Sequence, residues 1–276
     1  MQTLARLLER HGIESPDAEA RWIVETSSGI ARSQLTLPQT VIDEEAAHRS
    51  LSLGKRRAAG EPLQYVTGTV GFRRIELAVG PGVFIPRPET EVVVEAASRR
   101  LGAGGTIVDI GTGSGAIALS LADERPDAKV YATERSAEAI AWCRKNLAAL
   151  RLNVEVFEGD LFMPLPSSLR RAVDVVVSNP PYVAQGELSK LAQEIVAYEP
   201  HEALFAGDGG LSMIRRIAEE ARSWLKPAGW LVMEIGETQG AAARQLLREL
   251  GYADVTIHKD LPGRDRVAEG QWPNNI

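Results

Sequence analysis

From residue 105 onward, short apolar segments alternate with helical segments, and this alternation limits the possible folds more than any other feature. We predict strands at 106–110, 129–133, 154–157, 173–178, 230–235, 253–258 and 265–269, and helices at 116–123, 137–150, about 210–225 and 239–250. The first four strands are almost continuously apolar, which is typical of strands buried on both faces of a parallel sheet. The pattern therefore predicts an α/β fold with a doubly wound, mostly parallel sheet between helix layers.

The first 62 residues have a different, helical pattern. Leu4, Leu7 and Leu8 recur at helical spacing, and Ser15-Pro16 is typical of a helix start. Residues 63–80 are rich in β-prone side chains interrupted by glycine, which predicts a β-hairpin. We therefore expect a helical domain at 1–62, a hairpin linker at 63–80 and an α/β domain at 81–276.

Composition narrows the possible functions. The 276 residues contain no apolar run long enough to span a membrane, and the single cysteine excludes an internal disulfide and a multi-cysteine metal site. We expect a monomer in the cytoplasm, without a metal ion or a membrane partner. The net charge of −6 and pI of about 5.4 do not favour direct nucleic-acid binding. The basic cluster Lys55-Arg56-Arg57 is either a solvated helix face or a contact surface for an acidic partner.

A glycine-rich loop, DIGTGSG, lies where the first strand of the α/β region meets its helix. Its glycines allow a tight turn and a close approach to a ligand beside a helix N-terminus. The loop also fits the dinucleotide pattern, so a dinucleotide, S-adenosylmethionine and a turn without a ligand remain alternatives. Asp109 favours S-adenosylmethionine, because a carboxylate there would attract an amino group and repel a pyrophosphate.

Two further acids follow neighbouring strands. Glu134 ends the second strand of the region, where a carboxylate accepts hydrogen bonds from the two ribose hydroxyls of either cofactor. Asp160 follows the third strand and is either a contact for an adenine amino group or a structural turn residue.

The segment SNPPY, which ends the fourth strand, suggests the chemistry. Asn179 offers an amide oxygen, and Pro181 restricts Pro180 so that the Pro180 carbonyl is held outward. Tyr182 offers a flat face. Two fixed acceptors and a stacking surface fit a planar group that carries an –NH2, such as an amide or a nucleobase amino group. Because ligands bind at the carboxyl ends of such strands, we expect this loop to lie beside the glycine loop.

These motifs together identify a resemblance to the release factor glutamine methyltransferases, PrmC/HemK, over nearly the whole chain. The matching segments are GEPLQYVTG (60–68), VFIPRPETE (83–91), DIGTGSGAIALSLA (109–122), GDLF (159–162), SNPPY (178–182), EPHEALFAGDGG (199–210), MEIGETQG (233–240) and DRVAEG (265–270). The resemblance implies a class I S-adenosylmethionine-dependent methyltransferase with a seven-stranded sheet. It also implies that the enzyme methylates the glutamine side-chain amide in the Gly-Gly-Gln motif of peptide-chain release factors, and that the N-terminal domain helps to bind the release factor.

The resemblance assigns roles to individual residues. The expected cofactor-binding residues are Asp109, Gly111, Thr112, Gly113, Ser114, Gly115, Glu134, Asp160, Leu161 and Asn179, with Phe84, Pro86 and Glu89 shaping the pocket. The expected substrate-binding residues are Asn179, Pro180, Pro181 and Tyr182, of which Asn179, Pro180 and Tyr182 are the catalytic ones. Two positions depart from the family: Glu134 stands where Asp is commoner, and Leu161 where some members carry an aromatic residue.

The sequence leaves other functions open. A nucleic-acid N-methyltransferase acting on adenine or guanine would use the same NPPY chemistry. A non-catalytic binding module would keep only the cofactor pocket, and a dehydrogenase fits least, because no hydride-handling residues follow the loop. His201 and Glu202 are expected to border the substrate channel.

Overall fold

The computed structural model describes residues 1–37, 39–184, 186, 191–206 and 210–274. The helices are α1 (Gln2–Arg10), α2 (Pro16–Ser28), α3 (Arg32–Leu35), α4 (Glu44–Ala58), α5 (Leu63–Thr67), α6 (Glu91–Arg100), α7 (Ala116–Glu124), α8 (Ala137–Leu150), α9 (Gln193–Tyr198), α10 (His201–Leu204), α11 (Ser212–Ala221) and α12 (Gly240–Glu249). The strands are β1 (Thr69–Phe72), β2 (Ile75–Ala78), β3 (Thr106–Ile110), β4 (Lys129–Glu134), β5 (Val154–Glu158), β6 (Val173–Ser178), β7 (Leu225–Glu234), β8 (Ala253–Lys259) and β9 (Asp265–Gln271). Within these ranges, no helix combines the length and the apolar character that a membrane span requires.

The chain forms two compact units. Unit 1 comprises Met1–Thr69, Val79–Pro81 and Leu191–Glu199, and unit 2 comprises Val70–Ala78, Gly82–Lys190 and Pro200–Ile276.

Unit 1 is a helical bundle around one apolar cluster. Its buried members are Leu4, Ala5, Leu8, Ala20, Ile23, Val24, Leu35, Leu63 and Val66. The hairpin predicted at 63–80 is wrong at its start, because 63–67 forms α5. Leu63 and Val66, three residues apart, are placed in the cluster only by a helix, and this burial overrides the β preference of the segment. Gly68 ends α5 with a φ of 80°, and the hairpin begins at Thr69.

The basic cluster on α4 is neither a uniform solvated face nor a free contact surface. Arg57 is buried, and its guanidinium contacts Glu19 at 2.6 Å and Glu194 at 2.7 Å. Arg56 pairs with Glu61. Of the three residues, Lys55 alone has no ion-pair partner in the described part of the chain, and it is exposed. Two of the three charges are therefore used inside unit 1.

Unit 2 is built on a seven-stranded sheet with the order β5-β4-β3-β6-β7-β9-β8. The strands from β5 to β7 pair in parallel, and β9 is antiparallel to both β7 and β8. Alternate residues of the central strands enter two different apolar clusters: Val108 and Val176 belong to one, and Ile107 and Val175 to the other. The doubly wound, mostly parallel seven-stranded sheet predicted from the sequence is confirmed.

Two details of unit 2 differ from the predictions. Strand β7 begins at Leu225 rather than Trp230, because Pro227-Ala228-Gly229 is included in it after a register shift against β6. The segment between Tyr182 and residue 210, for which no helix was predicted, contains helices α9 and α10. Val183 also forms a bridge with Phe205, so the chain directly after Tyr182 is held by main-chain hydrogen bonds.

Candidate active site

The two loops selected from the sequence follow adjacent strands. Strand β3 ends at Ile110 before the glycine loop, and β6 ends at Ser178 before Asn179. The two strands are parallel neighbours, so their carboxyl ends lie at the same edge of the sheet. The Ser178 hydroxyl donates a hydrogen bond of 2.7 Å to the Ile110 carbonyl oxygen. The glycine loop and the NPPY segment therefore each begin at the residue that directly follows this hydrogen-bonded pair.

The three glycines of the first loop have different surroundings. All have positive φ, 72° at Gly111, 58° at Gly113 and 91° at Gly115, a region that L side chains seldom adopt. A Cβ atom at Gly111 or Gly113 would have no heavy atom within 4 Å among the described residues, whereas one at Gly115 would lie 2.7 Å from Leu119. Gly111 and Gly113 therefore border open space, and Gly115 allows helix α7 to pack closely.

Asp109 lies beneath this loop rather than on its surface. It is buried, and its Oδ2 accepts hydrogen bonds from the Thr112 hydroxyl at 2.6 Å and from the Ala118 amide at 3.2 Å. Its Oδ1 is buried without a hydrogen-bond partner among the described residues. Burial raises the pKa of Asp109 to about 7, and the charge of Glu134 contributes to this rise. The predicted direct approach to a cofactor amino group would have to use Oδ1.

Glu134 holds the loop from the other side. Its Oε2 accepts from the Gly113 amide at 3.0 Å, and its Oε1 accepts from the amides of Arg135 and Ser136. A carboxylate has about four acceptor positions, so these three bonds leave about one for a ligand. Both ribose hydroxyls could bind only if one of the three main-chain bonds were released.

The electrostatics of the loop do not suit an anion. The amides of Gly111 and Thr112 donate to the Thr133 carbonyl, and that of Gly113 donates to Glu134. A pyrophosphate needs unpaired N–H donors, but here these three amides are already bound and two carboxyl groups lie against the loop. A cationic ligand such as a sulfonium with its amino group fits this arrangement better. The loop residues therefore fit S-adenosylmethionine and do not favour a dinucleotide.

Asp160 and Leu161 lie in the turn after β5. Asp160 pairs with Arg216, Oδ2 to Nη2, at 2.6 Å, and both side chains are partly exposed. Leu161 is buried in an apolar cluster and has a φ of 46°, which is unusual for a residue other than glycine. The turn is therefore held by an ion pair and a buried side chain, and the expected adenine contact remains a prediction.

Asn179 and Pro180 carry the two proposed acceptors. The Nδ2 of Asn179 donates to the Thr90 hydroxyl at 3.1 Å, which leaves Oδ1 as the acceptor atom of the amide. None of the hydrogen bonds between described residues uses Oδ1 of Asn179 or the carbonyl oxygen of Pro180. Both acceptors required by the sequence argument are therefore available.

Tyr182 is fixed at both ends by residues of the MEIGETQG segment. Its hydroxyl donates to Oε1 of Glu234 at 3.1 Å, and its carbonyl oxygen accepts from Nε2 of Gln239 at 3.0 Å. Burial raises the pKa of Glu234 to about 7, while hydrogen bonds from Thr90 and Tyr182 and the charge of Arg266 favour its ionised form. Burial also raises the pKa of the Tyr182 phenol well above its usual value.

Sequence reasoning missed Thr90, Glu234 and Gln239. All three belong to segments quoted for the resemblance, but nothing in their spacing showed that they meet SNPPY in space. Of the pocket residues expected in the IPRPETE region, Pro86 is buried, Glu89 is exposed, and Phe84 carries the Arg87 guanidinium 4.9 Å from its ring centre.

His201 and Glu202, which we expect to border the substrate channel, are the first two residues of helix α10. Glu202 pairs with Arg135, the residue after Glu134, at 3.0 Å, and the His201 ring packs edge-on against Phe205. Glu202 therefore lies at the same end of the sheet as the loops. Of the surrounding EPHEALFAGDGG segment, residues 207–209 lie outside the described residues.

Comparisons with known protein families and relatives identify the family of this chain. The family model for the PrmC N-terminal domain matches residues 1–68, and that for the Methyltransferase small domain matches residues 81–209. Proteins named release factor glutamine methyltransferase are 42% identical over 93% of this chain and 91% of the Streptomyces coelicolor protein, and 41% identical over 95% of both chains for the Neisseria gonorrhoeae protein. The chain belongs to the release factor glutamine methyltransferase family.

Solved structures agree with the methyltransferase fold of this family. A methyltransferase from Pyrococcus furiosus superimposes with a TM-score of 0.54 and 21% identity, covering 71% of this chain and 88% of that one. The hMettl16 catalytic domain superimposes with a TM-score of 0.57 and 18% identity, covering 84% of this chain and 81% of that one. At these identities the likeness concerns the fold alone. Family membership makes the chain an S-adenosylmethionine-dependent methyltransferase, in agreement with the cationic preference of the glycine loop.

Proposed function

We propose that this protein transfers a methyl group from S-adenosylmethionine to the side-chain amide nitrogen of the glutamine in the Gly-Gly-Gln motif of peptide-chain release factors. One observation carries the proposal. The two acceptors on Asn179 and Pro180, which no hydrogen bond between described residues uses, start one residue beyond the Ser178–Ile110 hydrogen bond, directly beside the glycine loop. This arrangement, together with about 40% identity to relatives that bear this name, supports the activity.

The chemistry follows from the acceptor pair. An amide nitrogen is a poor nucleophile, because its lone pair is delocalised into the carbonyl group. Hydrogen bonds from its two N–H groups to Oδ1 of Asn179 and to the Pro180 carbonyl would orient the nitrogen and favour its pyramidal form. S-adenosylmethionine supplies an electrophilic methyl group on a sulfonium when bound. Catalysis then rests on positioning and preorganised dipoles.

No strong base is required at the acceptor nitrogen. Methylation makes that nitrogen acidic, so its proton is lost late and can pass to water. Tyr182 does not serve as the base, because its hydroxyl already donates to Glu234 and its pKa is raised. Its ring instead supplies a flat surface against which a planar amide packs.

The cofactor is assigned to the glycine loop and to the acids around it. Gly111 and Gly113 border the open space, and Glu134 keeps about one acceptor position. Below the loop, Oδ1 of Asp109 is an acceptor without a hydrogen-bond partner among the described residues. Asp160 and Leu161 line the turn on the adjacent strand. We assign Thr112, Ser114 and Gly115 to supporting this loop, because their side chains or Cβ positions are enclosed by protein.

The helical bundle of unit 1 is proposed to bind the release factor. Within unit 1, a cavity of about 320 Å³ is lined by Glu19, Trp22, Arg57, Gln64 and Glu194 among others. Trp22 is 42% exposed, an unusual position for so large an apolar side chain. Aromatic residues beside a cavity often contribute strongly to protein–protein binding.

One experiment separates this function from its alternative. The protein is incubated with radiolabelled S-adenosylmethionine and, in parallel, with a release factor, duplex DNA or ribosomal RNA. Label in the release factor, lost when its Gly-Gly-Gln glutamine is replaced by alanine, supports the proposal. Label in the nucleic acids alone would replace it with an N-methyltransferase acting on nucleobases. We also expect the protein to act as a monomer in the cytoplasm, where its proposed substrate is made.

A further inference from the structure

The segment Met233–Gly240 has no role in the mechanism so far, yet two of its side chains are hydrogen-bonded to Tyr182 of the NPPY segment. Glu234 is the last residue of β7 and only 1% exposed. Its Oε1 accepts the Tyr182 hydroxyl at 3.1 Å, and its Oε2 is buried without a hydrogen-bond partner among the described residues. A buried carboxylate is costly unless it is well paired, so its presence here calls for a reason.

Glu234 also acts on Asn179, through Thr90. The Thr90 hydroxyl accepts a hydrogen bond from Nδ2 of Asn179 at 3.1 Å, and the same hydroxyl is hydrogen-bonded to Glu234. A hydroxyl that donates to a carboxylate presents its lone pairs to other donors. This bond directs the nitrogen of the Asn179 amide to Thr90, and so decides which end of the amide remains as the acceptor.

Gln239 holds the main chain of the same segment. Its Nε2 donates to the Tyr182 carbonyl at 3.0 Å, and its Oε1 accepts from the Gly236 amide at 2.9 Å. Gly210 leaves room for this contact: a Cβ atom there would lie 2.5 Å from the Tyr182 carbonyl oxygen and 2.4 Å from Nε2 of Gln239. The side chain of Tyr182 is thus held by the last residue of β7, and its main chain by a residue of the turn that follows.

We propose that Glu234 and Gln239 are positioning residues for methyl transfer, with Glu234 orienting the Asn179 amide through Thr90 and the Tyr182 ring directly, and Gln239 fixing the Tyr182 main chain. The proposal rests on the proposed function of the site. In this proposal, the charge of Glu234 keeps the hydroxyls of Thr90 and Tyr182 directed at its carboxyl group. The acceptor atoms and the flat face of the Tyr182 ring then point toward the substrate.

The decisive variant is Glu234→Gln, which keeps the size of the side chain and removes its charge. The glutamine oxygen is a neutral acceptor and binds hydroxyl donors more weakly than the carboxylate does, so the two hydroxyls are held less firmly. We expect kcat for release-factor methylation to fall at least 10-fold, while the Kd for S-adenosylmethionine stays within 2-fold of the wild-type value. The Glu234→Asp variant, which restores the charge at shorter reach, should recover part of the loss.

The matched control is Glu269→Gln on the neighbouring strand β9. Glu269 is also 1% exposed, but it pairs with Arg100 and has no contact with the NPPY segment. Its replacement should lower the unfolding midpoint without lowering kcat at a temperature where the variant is folded. A wild-type kcat in a folded Glu234→Gln variant, or an equal loss of kcat in both variants, would refute the positioning role.

A second readout does not depend on the substrate. The side-chain NH2 signals of Asn179 can be assigned by NMR with the Asn179→Ala variant and followed between pH 5 and 9. Because the pKa of Glu234 is raised to about 7, we expect these signals to shift with a midpoint near that value, and to lose this step in Glu234→Gln. The charged or titratable neighbours that bear on Glu234 are Arg266, Tyr182 and Glu89, and Arg87 bears on Tyr182.

The two readouts separate the two proposals. If the wild-type protein labels no release factor but the Asn179 signals follow Glu234, the proposed function fails and the positioning network stands. If the wild-type protein labels release factor and Glu234→Gln changes neither kcat nor the Asn179 signals, the network is structural only. The Gln239→Glu variant tests the hydrogen bond between Gln239 and the Tyr182 main chain. It places a carboxylate against the Tyr182 carbonyl, and should lower kcat at least 5-fold without changing the Kd for the cofactor.

Discussion

The Ser178 hydroxyl donates a 2.7 Å hydrogen bond to the carbonyl oxygen of Ile110, and this bond joins the ends of strands β6 and β3. Asn179 and Gly111 are the residues that directly follow β6 and β3. The distance between the acceptor loop and the cofactor loop is therefore set by the pairing of two buried strands rather than by loop conformation. A site built on rigid strand ends holds its geometry better than one on loops.

Replacing Asn179 by alanine should remove one of the two acceptors and nearly abolish methyl transfer. Loss of one preorganised polar group of this kind lowers kcat by about 100-fold or more. The Kd for S-adenosylmethionine, measured by calorimetry, should change little. Asn153→Ala, at an exposed asparagine before β5, is the control and should keep wild-type turnover. Substantial turnover by Asn179→Ala would overturn the acceptor model.

Replacing Gly113 by valine should block cofactor binding, because the valine side chain would occupy the open space beside the loop. The change also strains the backbone, so a control must carry the same strain. Gly104 has a φ of 65°, close to the 58° of Gly113, and is likewise open at its Cβ position. Gly104→Val should lower stability by a similar amount and leave the cofactor Kd unchanged. Equal cofactor affinity in the two variants would remove Gly113 from the pocket.

Asp109 should make the protein less stable as the pH rises. Its pKa is about 7 in the folded protein and near its usual acidic value when unfolded, so the folded state binds more protons between about pH 4 and 7. The stability it contributes is present below pH 4 and is lost as the pH rises through 7. Asp109→Asn should therefore gain stability relative to wild type between pH 5 and pH 8, by more than about 1 kcal/mol.

Urea unfolding at several pH values checks this expectation. The control is Asp127→Asn, which removes an exposed carboxylate whose pKa is lowered by hydrogen bonds from the Gly104 amide and Arg125. Because the pKa of this carboxylate is lowered from an already acidic value, the control should run parallel to wild type above pH 5. Parallel curves for Asp109→Asn as well would show that Asp109 is ionised in the folded protein at pH 5.

Replacing Arg57 by methionine should weaken unit 1. The change keeps a long side chain but leaves Glu19 without its buried partner, and we expect a loss of about 2–3 kcal/mol in unfolding free energy. Hydrogen–deuterium exchange should show the loss in helices α2 and α4. Lys55→Met, on the same helix at an exposed position, should exchange like wild type. If the two variants behave alike, the Arg57 ion pairs add nothing to stability.

Trp22 should matter for the protein substrate and not for the cofactor. Trp22→Ala removes a large exposed aromatic side chain beside the cavity of unit 1 and should raise KM for the release factor about 10-fold. Kd for S-adenosylmethionine should not change. Val41→Ala removes an 83% exposed apolar side chain in the same unit and serves as the control. An unchanged KM in Trp22→Ala would place the release-factor contact elsewhere.

The central sheet could be predicted because its signals are local. The strands from 106 to 178 are apolar runs bounded by helices and glycine turns, and observed and predicted bounds differ there by one residue at most. The segment 63–67 was mispredicted because its β-prone side chains are buried on a helix. Burial depends on distant residues such as Leu8 and Ile23, which a local pattern does not include.

Only the parts of the site that lie within contiguous sequence motifs could be predicted. SNPPY and DIGTGSG offer their chemistry in consecutive residues, and the rule for parallel strands brings them together. Thr90 approaches from the segment before α6, and Glu234 and Gln239 approach from the end of β7 and the turn after it; they lie 89, 52 and 57 residues from their partners. Contacts of that range depend on the finished fold, and a single sequence contains no spacing that shows them.

The composition of unit 1 has a consequence for synthesis. Arg57 is bound by Glu19 and also by Glu194, which lies 137 residues later in the chain. On a ribosome, the helices of the first 69 residues emerge long before the 191–199 segment that completes their unit. Until then the Arg57 guanidinium has only one of its two carboxylate partners. The bundle that holds Arg57 is therefore completed late, after four of the seven strands of the sheet, β3 to β6, have been translated.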